Sequence, residues 1–82
     1  MAELKRAAVR QMMAEVLAKQ DKRLPANDDA LLDDIGFRSL DFSELALRVE
    51  DEVGDELNFD APGLRAIRTV GDVLDLIDQL TA

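Results

Sequence analysis

The sequence contains no cysteine and no histidine, and these absences restrict the chemistry that it can support. Without cysteine there is no disulfide, no thiolate metal site and no thiol nucleophile. Without histidine, the chain lacks the side chain that most often serves as a general base near neutral pH. The aspartates at positions 28, 29, 33 and 34 do not follow the Asp-x-Asp-x-Asp-Gly spacing of a calcium loop. We therefore predict that the protein is not an enzyme and has neither catalytic residues nor a metal site.

Turn-forming and aromatic residues are also scarce. Four glycines and two prolines leave little turn material for a β protein, and three phenylalanines are the only aromatic residues. No apolar run is long enough to span a bilayer, and the N-terminus lacks the apolar segment of a signal peptide. With 48% hydrophobic residues the chain can still bury a core. We predict a single all-α domain over residues 1–82, located in the cytoplasm.

Basic residues are outnumbered, with 10 Lys and Arg against 18 Asp and Glu, which gives a formal net charge of −8. This charge disfavours binding to nucleic acid, whose phosphates would repel it, and to an anionic membrane surface. It favours partner proteins that present basic docking patches, because complementary charge speeds their encounter. We expect a monomer that meets such partners.

Apolar spacing predicts four helical segments. The first spans residues 2–19, the second follows Ser39, a short third spans 62–67 and the last spans 69–80. Pro62 suits the first position of the third segment, and Thr69-Val70-Gly71-Asp72 fits a capping box at the start of the last. The apolar faces comprise Val9, Met12, Met13 and Val16 in the first segment, Phe42, Leu45, Ala46, Val49 and Val53 in the second, and Val70, Val73, Leu74, Ile77 and Leu80 in the last.

A long connection, residues 20–38, separates the first two helical segments. Its polar and proline residues break the helical periodicity, and Leu24, Leu31, Leu32, Ile35 and Phe37 are the expected anchors to the core. A loop of this length is uncommon in a compact domain unless it is functional. We predict an antiparallel four-helix bundle with a long loop between helices 1 and 2 and a short helix 3.

The stretch 35–56 joins this loop to the second helix and places a serine at the junction. Gly36 gives the backbone freedom, Ser39 is a candidate N-cap, Asp41 lies in the first turn and Gly54 ends the helix. A helix N-terminus also accommodates a phosphate, because its free N–H groups and dipole point towards it. Ser39 could therefore carry a phosphodiester, or it could be a cap and nothing more.

The run IGFRSLDFSEL, residues 35–45, resembles the modification site of acyl carrier proteins, and the resemblance continues through residues 50–59 and 67–73. The resemblance implies that Ser39 bears 4′-phosphopantetheine derived from coenzyme A, whose thiol holds an acyl group as a thioester. It further implies a phosphopantetheinyl transferase and acyl-loading and acyl-processing enzymes as partners. Fatty acid, polyketide and related specialised biosynthesis use free-standing carriers of this kind.

One residue departs from the family pattern, because Arg38 stands where the family usually has Asp before the serine. Arg38 could pair with the phosphate of the arm or with an acidic group on a dedicated partner, or it could be a solvated arginine without a role. We predict a docking surface on the second helix that consists of Arg38, Leu40, Asp41, Glu44, Leu47 and Asp51.

Two other functions fit the same residues. An aminoacyl or peptidyl carrier of a nonribosomal peptide system shares the serine and the fold, and the group that is loaded would distinguish it. A helical interaction module without a prosthetic group would use Ser39 only as an N-cap. In that case, replacing Ser39 with Ala would cost about 1 kcal/mol of stability and remove no attached mass.

Overall fold

The computed structural model describes residues 5–54, 56–57 and 65–81, and within these ranges it is all-α, as predicted. The helices are α1 (Arg6–Ala18), α2 (Leu32–Ile35), α3 (Ser39–Val53) and α4 (Val70–Thr81). Arg65 and Ala66 are also helical. In the described part of the chain, the β structure is limited to one isolated antiparallel bridge between Leu31 and Thr69. No helix there has the length and apolar character needed to cross a membrane.

The three long helices occur where the apolar spacing predicted them, and α1 packs against both α3 and α4. Residues 2–4 of the predicted first helix lie outside the described residues. So do the predicted start of the short third helix at Pro62 and its approach through residues 58–61; Arg65 and Ala66 are the part of that segment that the structure describes. The bundle that was predicted is confirmed in its main elements.

The core is formed by the predicted apolar faces. Its buried members are Val9, Met13, Val16 and Leu17 from α1, Phe42, Leu45 and Val49 from α3, Val70, Val73, Leu74 and Ile77 from α4, and Leu32 and Phe37 from the connection. A fully buried Val, Leu, Ile or Phe side chain contributes about 1.5–3 kcal/mol relative to leaving it exposed. Burial of these apolar faces therefore holds α1, α3 and α4 together.

The connection between α1 and α3 differs from the predicted loop because it contains α2. Leu32 is buried and Ile35 packs against the core, so this one turn of helix is held by the same anchors that the sequence indicated. Leu31 was predicted to be an anchor as well, and this was wrong: 47% of it is exposed, while its backbone forms the bridge to Thr69. A residue whose main chain is held by a neighbouring segment need not bury its side chain.

Backbone hydrogen bonds fasten this connection to the segment before α4. The Leu32 N–H donates to the Arg68 carbonyl at 2.8 Å, and the Val70 N–H donates to the Ala30 carbonyl at 3.0 Å. The two segments are therefore held side by side.

The capping box predicted at α4 is present. The Asp72 N–H donates to the Thr69 hydroxyl and the Thr69 N–H donates to the Asp72 carboxylate, both at 3.1 Å. The Arg68 N–H donates to the same carboxylate at 2.9 Å. These N–H groups, that of Arg68 first, hold the pKa of Asp72 below its ordinary value.

Candidate functional site

The site is built on a sharp turn at Gly36. Its φ of 72° is a left-handed conformation that glycine adopts without steric cost, and it ends α2. A Cβ at this position would lie 2.7 Å from the Lys22 ammonium nitrogen. That ammonium donates to the Gly36 carbonyl at 2.9 Å and to the side-chain oxygen of Gln20 at 3.1 Å. The turn is therefore fixed both by its own backbone and by the loop that follows α1.

Ser39 is the first residue of α3 rather than its N-cap, so the prediction of Ser39 as an N-cap is wrong. The N-cap is Arg38, which is extended with φ −104° and ψ 178°. Its N–H donates to the Asp41 carboxylate at 2.8 Å, whereas its guanidinium has only donors and cannot cap an N–H group. The carboxylate of Asp41 sets the start of the helix, which shifts Ser39 into the first turn.

As a result, the Ser39 hydroxyl has no structural task within the described part of the protein. Ser39 is exposed, and its hydroxyl makes no hydrogen bond to any described residue. Only its carbonyl is used, as the acceptor of the Ser43 hydroxyl at 3.2 Å. A hydroxyl in this position is open to a covalent substituent.

Asp41 is buried rather than exposed, with 8% of its surface accessible, so the structure removes it from the predicted docking surface. One carboxylate oxygen accepts the Arg38 N–H, and the other accepts the Gln20 side-chain N–H at 2.6 Å. These two donors offset the cost of burying Asp41, because a buried carboxylate requires hydrogen-bond donors. Sequence reasoning missed Gln20, whose position after α1 gives no local indication of a contact with α3.

The remaining predicted docking residues lie on or near the solvent-facing side of α3. Leu40 and Leu47 are 83% and 63% exposed, and Arg38 and Asp51 are also exposed. Leu40, Leu47 and Asp51 follow spacings of seven and four residues, so they share one face of the helix. Two large exposed apolar side chains on this face, one next to Ser39 and one about two turns further along, are suited to contact with another protein.

Glu44 is half-buried, and its carboxylate already forms ion pairs within the chain. Its carboxylate accepts from Lys19 at 2.8 Å and from Arg48 at 3.2 Å, and Arg48 also pairs with Glu15 at 2.9 Å. The hydrogen bond from Lys19, and then the pair with Arg48, hold the pKa of Glu44 below its ordinary value. Glu44 therefore offers a partner less negative charge than its residue type suggests.

A cleft of about 690 Å³ opens beside Ser39, and we call it the Ser39 cleft. Small-molecule sites in proteins have volumes of about 300–1,000 Å³, so it is large enough for a prosthetic arm. The cleft lies between the α2 connection, the start of α3 and the segment before α4. Its lining residues are Leu31, Leu32, Asp33, Phe37, Arg38, Ser39, Phe42, Ser43, Ile67 and Arg68.

Comparison with known proteins shows the family of the chain. A family model described as a phosphopantetheine attachment site matches residues 7–77. An acyl carrier protein of Saccharopolyspora erythraea is 36% identical to the chain over 74 residues, which cover 90% of this chain and 75% of that protein. No solved structure gives a significant match.

The geometry fits the prosthetic group of this family. The start of α3 presents a free hydroxyl, helix N–H groups whose dipole favours a phosphate, and an adjacent cleft of suitable size. When bound, 4′-phosphopantetheine supplies a thiol, which is the nucleophile that this cysteine-free chain lacks. The chain belongs to the acyl carrier protein family, whose members are carriers rather than enzymes and work through covalently attached 4′-phosphopantetheine.

Proposed function

We propose that Ser39 is the attachment residue, and that the protein holds acyl intermediates as thioesters on this arm and delivers them to partner enzymes. One observation carries the proposal: the Ser39 hydroxyl is exposed at the start of α3 and makes no hydrogen bond to a described residue. Had Ser39 been an N-cap, its hydroxyl would already serve the helix. The reading of the protein as an interaction module with a capping serine loses its main support.

The chain prepares the hydroxyl for attachment but does not activate it. No described side chain accepts its proton, so the phosphopantetheinyl transferase must supply the base. After transfer, the phosphodiester lies at the N-terminal end of α3, where the helix dipole stabilises a negative charge by about 0.3–1 kcal/mol. Arg38 adjoins it in the chain, and a guanidinium is suited to pairing with a phosphate.

The docking surface that we propose surrounds this junction. Leu40 and Leu47 supply apolar contact area, Asp51 supplies negative charge, and Arg38 supplies a cation that a partner must accommodate. Glu44 borders this surface with a carboxylate that Lys19 and Arg48 already bind. Partners with an apolar patch near the serine and basic residues facing the distal part of α3 complement this surface.

The partners we propose are a phosphopantetheinyl transferase and acyl-loading and acyl-processing enzymes of polyketide, fatty acid or related specialised biosynthesis in the cytoplasm. The acidic α3 and the relative named as an acyl carrier protein support an acyl group over an aminoacyl group. Loading assays with acyl and aminoacyl donors would distinguish a carrier of acyl groups from an aminoacyl or peptidyl carrier.

The test is the intact mass of the protein after incubation with coenzyme A and a broad-specificity phosphopantetheinyl transferase. Wild type should gain the mass of phosphopantetheine, and Ser39→Ala should not. Ser43→Ala is the matched control, because Ser43 is exposed one turn further along the same helix and should leave the mass gain intact. Since Ser39 caps nothing, Ser39→Ala should also change the free energy of unfolding by less than about 0.5 kcal/mol.

Two results would contradict the proposal. A mass gain that persists in Ser39→Ala would place the attachment elsewhere. If wild type gains no mass, the same assay is repeated with Arg38→Asp, which restores the residue usual in the family. If this variant also stays unmodified, attachment at Ser39 is refuted.

A further inference from the structure

Two arginines from different segments of the chain line the Ser39 cleft. Arg38 comes from the start of α3, and Arg68 comes from the segment before α4. Both are exposed, and neither guanidinium makes a hydrogen bond or an ion pair to another described residue. By contrast, Arg6, Arg10 and Arg48 all bind carboxylates of the chain. The cleft thus contains two guanidiniums that remain available to an incoming anion.

The acidic groups near these arginines leave both guanidiniums without an ion pair among the described residues. Asp33 is the one carboxylate among the described residues that line the cleft. Asp72 keeps its negative charge while its carboxylate accepts the N–H groups of Arg68 and Thr69, and the charge of Arg68 acts on it without an ion pair. A carboxylate that enters the cleft therefore meets two guanidiniums to which no described carboxylate is bound.

The rest of the lining is largely apolar. Phe37 and Phe42 are buried, Ile67 packs against the core, and Leu31 and Leu32 complete the apolar part. Such a surface suits the methylene groups of an acyl chain whose charged end contacts one of the two arginines. An arginine fork binds a carboxylate through two parallel hydrogen bonds, so a carboxylate is the terminal group that this combination fits best.

We propose that the Ser39 cleft binds the acyl group carried by the arm and favours acyl groups that end in a carboxylate, which Arg38 and Arg68 bind. The proposal rests on attachment of the arm at Ser39 and names the class of substrate. Without the arginines, a terminal carboxylate on this protein would be repelled by the surrounding negative charge, which raises its pKa. With them, opposite charge nearby lowers its pKa. The direction of the shift therefore tests the proposal.

The experiment compares two forms of the protein loaded through stable amide analogues of acyl-coenzyme A. One carries a glutaryl group with a ¹³C-labelled terminal carboxyl, and the other carries a pentanoyl group of equal length without charge. Intact mass first establishes that each arm is attached. Carbon NMR then gives the pKa of the glutaryl carboxyl on the protein and on the free pantetheine conjugate.

We expect the pKa on the protein to be lower by about 1 pH unit or more, because an adjacent arginine lowers the pKa of a carboxyl by that amount. Because Arg38 also binds the carboxylate in this proposal, Arg68→Gln should remove part of this difference. Arg65→Gln is the matched control: Arg65 is an exposed arginine that does not line the cleft, and its replacement should leave the pKa unchanged. The pentanoyl form should shift the amide resonance of Ile67 without shifting the guanidinium resonance of Arg68.

Three results would overturn the proposal. The first is a glutaryl pKa equal to or above that of the free conjugate. The second is a lowered pKa that Arg68→Gln does not change. The third is an Arg68 guanidinium resonance that shifts fully in the protein bearing the arm without an acyl group, which would assign the arginines to the phosphodiester. Failure of the arm to attach would appear in the mass measurement, so it refutes attachment at Ser39 and is distinguishable from these results.

Discussion

The two ends of α3 both carry acidic residues but use them differently. At the N-terminal end, Asp41 accepts from the Arg38 N–H and Gln20, and Glu44 accepts from Lys19 and Arg48. At the C-terminal end, Asp51 and Glu52 are exposed and form no ion pair with a described residue. Carboxylates near Ser39 thus organise the site, and those of Asp51 and Glu52, about three to four turns away, remain available to other molecules.

The comparison teaches that net charge does not locate an electrostatic surface. Arg6 pairs with Asp75 and Asp78 at 2.8 and 2.9 Å, and Arg10 pairs with Asp28 at 3.0 Å. Part of the acidic excess is therefore neutralised along α1 and α4 as well. The exposed carboxylates of Asp51 and Glu52 lie at the end of α3 remote from Ser39, whereas the exposed residues next to the serine are Arg38 and Leu40.

The largest expected effect is a difference in the free energy of unfolding between variants of Asp41 and Asp51. Asp41→Ala should lower the free energy of unfolding by about 1–3 kcal/mol, because the Arg38 N–H and the Gln20 side chain lose their acceptor. Asp51→Ala should change it by less than about 0.5 kcal/mol, since Asp51 is exposed and pairs with no described residue. Urea denaturation of the two variants measures both values. Equal stabilities would show that the two ends of α3 do not differ in this way.

A smaller effect should appear in partner recognition. There, the C-terminal end of α3 should matter more than the N-terminal end, which is the reverse of the order expected for stability. Asp51→Asn should lower kcat/KM for modification by the transferase by up to about fivefold, the equivalent of about 1 kcal/mol for an exposed ion pair. The matched change Glu44→Gln removes the same charge and should have less effect, because Lys19 and Arg48 already bind that carboxylate. High salt should reduce the Asp51 effect through screening. A larger loss of kcat/KM from Glu44→Gln than from Asp51→Asn would refute the assignment of Asp51 as the stronger contact for the transferase.

The smallest effect concerns the pH dependence that Glu44 contributes. Its pKa is lowered in the folded protein, mainly by the hydrogen bond from Lys19, so the unfolded chain binds the proton more readily. The stabilisation is therefore present above the ordinary pKa of Glu and is lost as the pH falls through the lowered pKa. Lys19→Met should bring the Glu44 carboxyl pKa back towards its ordinary value in a carbon NMR titration. A pKa that does not rise in this variant would contradict the stated cause.

The features that the sequence predicted correctly depend on neighbouring residues. The apolar face of α3, its end at Gly54 and the capping box of Thr69 and Asp72 each follow from residues within a few positions of one another. The exposure of Leu40 and Leu47 followed from the same periodicity, because both lie off the buried face of the helix. Local spacing is sufficient for these features, since a helix is defined by contacts three and four residues apart.

The features that the sequence left open depend on distant residues. Ser39 was assigned as a cap because serine favours that position, but the N-cap is Arg38, whose N–H donates to an Asp41 carboxylate that also accepts from Gln20. The exposure of Leu31 likewise follows from a bridge to Thr69, which is 38 positions further along the chain by the difference of the two residue numbers. Neither contact leaves a pattern in the local sequence.

The sequence by itself determined the all-α class, the positions of the long helices, the acidic character and the serine at the start of α3. These follow from apolar periodicity, capping preferences and composition, which act over a few residues. The tertiary structure alone decided which carboxylates are bound within the chain and that the Ser39 hydroxyl makes no hydrogen bond to a described residue. It also decided that Arg38 and Arg68 line one cleft. The physical reason is that hydrogen bonds and ion pairs between distant segments exist only after the core has brought those segments together.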